Sequence, residues 1–481
     1  MNDIQKYKFS KNIISDFSWK NITWNGWLLV IWEFLNTTLN LPSLLSSLIK
    51  EHASKKVKHT KVNVIIQKIY SILVWHTTNN IDVYIKNDPV FKILLSEVVP
   101  KTSINRIINS FGEEITKALQ KSQEALEKYN ILTNKKKNII IDIDTSFDEV
   151  SENVENSSYN THYGTTGYSP IIAFDGLTWD LIRWELRPWN FHCSKEALEF
   201  IIKMVDFYTE NNVAMKFRLD SWFATPEIYD YLESKNIEYY IKLKSNAVLK
   251  KKAGEIADIQ NQTPGKNIWL EFPYKAGSWE RERRVVCSID WIQKETKDGK
   301  GNNGDNKQYS LFPFYSFVVT NDQTYSQKEV FSMYNGRATI ETLIEEWKNG
   351  FMMDRLSHAK FAVNSAVFQI HLLAMQAFQL FRKMTTGDKE KTLEKKKNSN
   401  SEIYNETEYN GKFEWIEKIW RKEYTLQTIT TFRLILLNIP AVVVKTWRKL
   451  LFRFEQTFWW RKLYESIMKR LHFLPRLELS P

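Results

Sequence analysis

From Asn138 to Lys244 the chain alternates strand-like and helix-like stretches in one order, and that order constrains the fold more than any other feature. The run "NIIIDIDT" is β-branched, follows a lysine cluster, and places Asp142 and Asp144 on one side by its period of two. "YSPIIAFDG" and "TWDLIRWELRP" are two further strands joined through Asp175-Gly176, a turn pair. A helix follows in "SKEALEFIIKMVDFYTENN", with Ser194 as its cap and Glu196 in its first turn. The strand "AMKFRLDS", the helix "TPEIYDYLESKN" and the strand "IEYYIKLK" complete the set.

Strand, strand, strand, helix, strand, helix, strand is the order of a ribonuclease-H-like sheet. The fold class expected is therefore α/β, with a ribonuclease-H-like catalytic core over residues 133–245 and 323–384. From 246 to 322 helical periodicity vanishes. The runs "NIWLEFPY", "ERRVVCSIDWI" and "YSFVVT" alternate there with the loop "DGKGNNGDNK", which predicts an inserted β-rich subdomain. Residues 1–132 read as a helical N-terminal DNA-binding region, with apolar residues at three and four spacing in "VNVIIQKIYSILVW". Within it, "VPKTSINRIINSF" predicts a helix capped by Thr102 or Ser103 that presents Asn105, Arg106 and Asn109, a shape suited to a major groove. Residues 385–412 are polar and poor in apolar side chains, as in a linker or loop. Residues 413–481 are expected to form a basic helical C-terminal region.

With 481 residues the chain exceeds what one core organises, and a hydrophobic fraction of 43% excludes a disordered chain. A formal charge of +11 favours a polyanionic partner. Much of it is local. Between Lys445 and Arg476 nine Lys and Arg, among them Lys445, Arg448 and Lys449, face two Glu, with Trp447, Phe452, Trp459 and Trp460 interleaved. Only Cys193 and Cys287 occur, so neither a disulfide framework nor a CxxC zinc pair is expected. The N-terminus has no apolar signal core, and "LILLNIPAVVV" is too short to span a bilayer. A cytoplasmic protein, nucleoid-associated and without a membrane partner, is the expectation.

"MYNGRATIETLIEEWKNGF" reads as an amphipathic helix, and at about 100° per residue Tyr334, Arg337, Glu341 and Lys348 fall on one narrow stripe. Ile340, Leu343, Ile344 and Trp347 form the buried face beside it. Asp144 closes the first strand and Asp220 the fourth. In a ribonuclease-H-like sheet these ends converge with the helix bearing Glu341, and gathered carboxylates become favourable when divalent cations lie between them. Mg²⁺ suits such oxygen ligands, and two ions can activate a water or 3′-hydroxyl and stabilise the leaving oxygen of a phosphoryl displacement. Asp142 is the reserve for Asp144, and Glu345 and Glu346 are the reserves for Glu341. His162 and His192 are assigned no catalytic role. Trp269, Trp279 and Trp291 suit core packing better than stacking on a flipped base.

The spacing Tyr, two residues, Arg, three residues, Glu, six residues, Lys resembles the Tyr-Arg-Glu-Lys signature of bacterial insertion-sequence DDE transposases. "NDPVFK", "TSINR", "HYGTTGYSP", "LRPWNFHCSKEALEF", "RLDSWFATPEIYDYLESKNIEYYIKLKSNAVL", "NGFMMDRLSHAKFAVNSAVFQIHLLA" and "TFRLILLNIPAVVV" look like one subgroup of that family, over about residues 75 to 445. The resemblance implies Asp144, Asp220 and Glu341 as the catalytic, metal-binding triad, with Mg²⁺ as cofactor and Mn²⁺ able to substitute. The stripe makes Tyr334, Arg337 and Lys348 expected DNA contacts, beside Arg106 of the capped helix and Lys445, Arg448 and Lys449 of the basic patch. The resemblance also implies double-stranded DNA as partner, as terminal inverted repeats and as target, with a dimer in the synaptic complex. Thr145 departs from relatives that carry a second Asp there. Two rival classes are a catalytically inactive transposase-derived DNA-binding protein and another ribonuclease-H-like nuclease. The first would not need the acids, and the second would not need the four-residue stripe.

Overall fold

The computed structural model describes residues 6–8, 14–16, 21–51, 58–76, 82–95, 97–161, 163–188, 193–258, 267–291, 293–294, 308–309, 313–386, 439–446, 450–454 and 461–478. The polar segment 385–412 lies outside these apart from its first two residues, as do Arg448, Lys449, His162 and His192. The chain divides into two compact units. One, the helical unit, comprises Met1–Asn130, Asn153–Glu155 and Glu345–Pro481; the other, the sheet unit, comprises Ile131–Glu152 and Asn156–Ile344.

In the sheet unit, β1 (Asn138–Thr145), β2 (Ile171–Asp175), β3 (Leu181–Glu185), α1 (Cys193–Glu210), β4 (Ala214–Leu219), α2 (Pro226–Ser234) and β5 (Glu238–Leu243) follow in the expected succession. The alternation of β1 divides its faces. Ile139, Ile141 and Ile143 enter the main hydrophobic core, where Phe200, Ile201 and Tyr208 of α1 also lie, and this leaves the even positions for the other face. β2 folds back antiparallel to β1, and β3 antiparallel to β2. β4 runs parallel to both β1 and β5, with α1 and α2 as the crossovers that parallel neighbours require. α1 begins at Cys193, so Ser194 lies inside its first turn rather than capping it.

The segment read as an inserted β-rich subdomain supplies strands that extend this sheet. β6 (Ile268–Tyr274), β7 (Arg283–Asp290) and β8 (Phe314–Thr320) are antiparallel neighbours, and β8 pairs with β5 from Tyr240↔Thr320 to Leu243↔Phe317. The result is one eight-stranded sheet ordered β6-β7-β8-β5-β4-β1-β2-β3. An unpaired edge at β5 would leave a row of backbone donors and acceptors unsatisfied, and β8 satisfies them. A helix also appears where none was expected: α3, Ala247–Ile256, is capped by the Asn246 side chain, which accepts from the Leu249 N–H at 2.8 Å. Its buried face holds only Leu249 and Ala253, too little for a clear period in the sequence. Two more helices, α4 (Gln327–Asn335) and α5 (Ile340–Phe351), close the set, and α5 passes from the sheet unit to the helical unit at Glu345.

The helical unit contains a long helix over Phe361–Thr386 beside the helix Lys61–Leu73. Its stretch Phe361–Thr385 is long and apolar enough to cross a membrane by length and composition, yet 89% of its apolar window is buried in the fold. That burial is what a core helix shows. The helix Lys101–Ile108 has Pro100 as its N-cap, so neither Thr102 nor Ser103 caps it. The Pro100 backbone is already extended, and the helix starts directly after it. The C-terminal region departs from a purely helical expectation: Ala441–Lys445 and Leu450–Arg453 are antiparallel strands, and Ala441 and Val442 pair with Ile22 and Thr23. The β-branched run "AVVV" explains the preference. A helix, Arg461–Leu471, follows.

Candidate active site

β4 and β1 pair in parallel from Ala214↔Asn138 to Leu219↔Ile143, with Arg218 opposite Asp142. Continuing this register brings Asp220 beside Asp144, at the carboxyl ends of adjacent strands. One rung is attractive and the next repulsive. On the first, Arg218 donates through Nε to Asp142 Oδ1 and through Nη2 to Asp142 Oδ2, each at 2.5 Å, with the side chains 4% and 5% exposed. Asp142, the reserve acid, is thus tied into a forked ion pair and is not available as a ligand.

The repulsive rung draws in a cation from elsewhere. Arg337 Nη2 lies 2.9 Å from Asp144 Oδ2 and donates to the Ile143 carbonyl at 3.1 Å, while Asp144 Oδ1 accepts from the Thr145 N–H at 2.8 Å. Burial raises the Asp144 pKa, Arg337 and the Thr145 N–H oppose the rise, and the charges of Asp220 and Glu341 add to it. The three sequence-predicted acids therefore share one electrostatic neighbourhood. Glu341, exposed in the first turn of α5, acts on Asp144. Asp220 also serves as a cap: its Oδ1 accepts from the Ser221 N–H at 2.6 Å and begins the short 3₁₀ turn Ser221–Phe223.

The helix expected to run unbroken from Met333 to Phe351 is divided by a 3₁₀ turn over Gly336–Thr339. Arg218 supplies the reason. Its Nη1 donates to the Met333 carbonyl at 2.9 Å, taking the acceptor that a continuing α-helix would offer to residue 337. Gly336 permits this approach, since a Cβ there would stand 2.2 Å from Arg218 Nη1; at Gly176 it would stand 2.1 Å from Nη2. Tightening at this turn carries Arg337 off the uniform stripe and onto Asp144. Burial works against the Arg337 charge, but Asp144, Tyr334, Asp220 and Asp142 outweigh it and raise the pKa. Arg337 Nε is buried without an acceptor among the described residues.

Tyr334 was expected to meet DNA and is instead buried. It packs with Tyr240, Val286, Val318, Val330 and Phe331, and burial pushes its hydroxyl up to about 12, with Arg337 opposing and Asp220 and Asp144 adding. The helical period could not show this, because the floor under α4 comes from β5, β7 and β8. Lys348 is half-buried on α5, within the helical unit. Arg106 and Lys445, also in that unit, are exposed, whereas Asn109 Oδ1 lies 3.0 Å from His358 Nδ1. In the insertion Trp279 and Trp291 are core residues, and Trp269 is partly exposed beneath Lys328 Nζ, 5.7 Å from its ring centre.

Three carboxylates, two of which act on the charge of the third, are a hard-oxygen donor set that fits Mg²⁺ in chemistry. They are not drawn together as a finished cage. Among the described residues no three His, Cys, Asp or Glu side chains are grouped closely enough to hold a metal ion. Arg337 neutralises Asp144 in their midst.

A family model described as transposase DDE domain, group 1, matches residues 5–398. Comparison with curated proteins finds no match. Among solved structures, the cryo-EM structure of the piggyBac transposase synaptic complex with hairpin DNA is similar over 95% of this chain and 87% of that one, at 10% identity and a TM-score of 0.35.

Proposed function

Since the chain belongs to the transposase DDE domain family, we propose that it is the DNA transposase of an insertion sequence, which binds terminal inverted repeats and catalyses Mg²⁺-dependent strand cleavage and strand transfer. The fold behind this reading is ribonuclease-H-like. Five of its strands, β3-β2-β1-β4-β5, lie side by side with β1 central and parallel to β4. The observation that carries the proposal is the like-charged rung of Asp144 and Asp220 at two parallel strand ends, with the charge of Glu341 reaching it. A fold gains nothing from opposing two acids in a half-buried place, and a site for cations does.

Asp144, Asp220 and Glu341 would hold two Mg²⁺ ions, or Mn²⁺ in their place, which supply Lewis-acid activation of the attacking hydroxyl and relief of charge on the leaving oxygen. Arg337 supplies positive charge to Asp144. Released from Asp144, its fork suits a DNA phosphate, and its Nε already lacks an acceptor. Tyr334 acts on this arginine from below and takes no direct part in DNA contact. Lys348, Arg106, Lys445, Arg448 and Lys449 supply further phosphate contacts, and two copies join in the synaptic complex.

The test is cleavage of a duplex carrying the element's inverted repeats by purified protein, in Mg²⁺ and in EDTA. Cuts at the repeat ends are expected in Mg²⁺ alone, and Asp144→Asn, Asp220→Asn and Glu341→Gln should each abolish them while binding persists. Cleavage that survives Asp220→Asn would overturn the metal role.

A further inference from the structure

Two residues beyond Asp220, the indole of Trp222 is 67% exposed. Exposed apolar side chains are ordinary, so exposure alone means little. This one is held outward by its neighbours. On one side the Ser221 N–H is bound by Asp220 Oδ1 at 2.6 Å, and on the other Phe223 is 2% exposed in the main core. The Phe223 N–H returns to the Asp220 carbonyl at 3.0 Å and the Thr225 N–H to the Phe223 carbonyl at 2.9 Å, closing the turn around the indole. A turn pinned at both ends by an acid and a buried ring leaves the residue between them no inward course. Among the described residues no ring stacks on Trp222.

We infer that Trp222 is a stacking platform for an unpaired base of the DNA strand whose phosphate approaches Asp220. The inference rests on the proposed function. Its Cα is within about 7 Å of that of Asp220 along the chain, and successive bases rise about 3.4 Å per strand. A strand reaching the acid therefore sets a base one or two nucleotides away against the indole. Every base presents a π-face, so the platform needs no particular sequence. Trp222 takes the role weighed for Trp269, Trp279 and Trp291, of which two are buried in the core. A base is the occupant favoured over a second copy of this chain, because the proposed function brings a DNA strand to Asp220, two residues from the indole.

The experiment uses the full chain and a duplex with a three-nucleotide single-stranded overhang carrying 2-aminopurine, whose fluorescence falls on stacking. Wild type should quench the probe. Trp222→Ala should lose the quench and weaken binding by about 5- to 150-fold, the range of one lost base–aromatic stack. Trp222→Phe should restore most of both, and Phe314→Ala, which removes another exposed ring, should change neither. Circular dichroism identifies any variant that has not folded. Quenching by Trp222→Ala equal to wild type overturns the inference, as does a folded Trp222→Phe that rescues nothing, or a Trp222→Ala effect seen only on self-association. Cleavage of the same duplex by wild type in Mg²⁺ is recorded in parallel. Quenching without cleavage counts against the transposase reading and leaves the platform standing; cleavage with an inert Trp222→Ala does the reverse.

Discussion

Replacing Arg218 by Met would show how much of the sheet unit depends on the ion pair beneath the acids. The substitution keeps an apolar stem of similar length and removes the fork, leaving the Asp142 carboxylate 5% exposed and without its partner. Breaking a buried pair from one side costs about 3–5 kcal/mol. The Met333 carbonyl, which accepts from Arg218 Nη1 at 2.9 Å, loses that donor as well, and its loss costs roughly 1 kcal/mol more. At about 2–4 °C per kcal/mol for a body of this size, a melting temperature lower by about 8–24 °C is expected. Thermal unfolding followed by circular dichroism measures it. The double variant Asp142→Leu/Arg218→Met removes both charges and should recover most of the loss, because an apolar pair needs no desolvation of ions. Arg218→Lys should fall between, since an ammonium cannot reproduce the fork. A single variant melting within about 2 °C of wild type, or a double variant no more stable than the single, would refute the reasoning.

Gly176→Ala and Gly336→Ala each drive a methyl carbon into the Arg218 guanidinium, so each should lower stability by about 1–3 kcal/mol in chemical denaturation. Arg337→Ala frees Asp144 from its resident cation. Mn²⁺ should then bind roughly tenfold more tightly by calorimetry, about one pKa unit of charge interaction, although DNA affinity falls; weaker Mn²⁺ binding would contradict the role given to Arg337. Lys68, in the helical unit, is pulled by burial from 10.5 down to about 8. Between those values the unfolded chain holds a proton that the folded one does not, so stability should rise with pH from about 8 to about 10.5. Lys68→Met should be more stable at pH 7 by up to about 3 kcal/mol, and the pH slope should flatten in that variant.

The strands and helices around the acids could be read directly because each is a short, locally patterned run. Ile139, Ile141 and Ile143 alternate with Asp142 and Asp144, and β1 buries the isoleucines as that alternation requires. What could not be read depends on pairings between distant segments. Arg218 looked like any strand cation until the β4–β1 register set it against Asp142. The signal was present: Arg218 and Asp220 share a face by period two, as Asp142 and Asp144 do. The break at Gly336 was likewise hidden, since a helical wheel assumes a uniform turn and cannot foresee a side chain capturing the Met333 carbonyl. The burial of Tyr334 was hidden as well, because it depends on Val286 and Val318.

The strands added beyond β5 have a consequence for which changes this protein tolerates. β7 and β8 lend Val286 and Val318 to the floor on which Val330, Phe331 and Tyr334 of α4 rest, and α4 delivers the turn that aims Arg337 at Asp144. The added sheet acts as a cantilever whose planks all bear on α4, the outermost, β6, through Trp269 beneath Lys328. Remodelling at β6, although four places and about 19 Å from β4, still reaches the helix that aims the arginine, through Trp269 and Lys328. A deletion that removes β7 and β8 would take away the bed of α4, and the arginine would lose its aim.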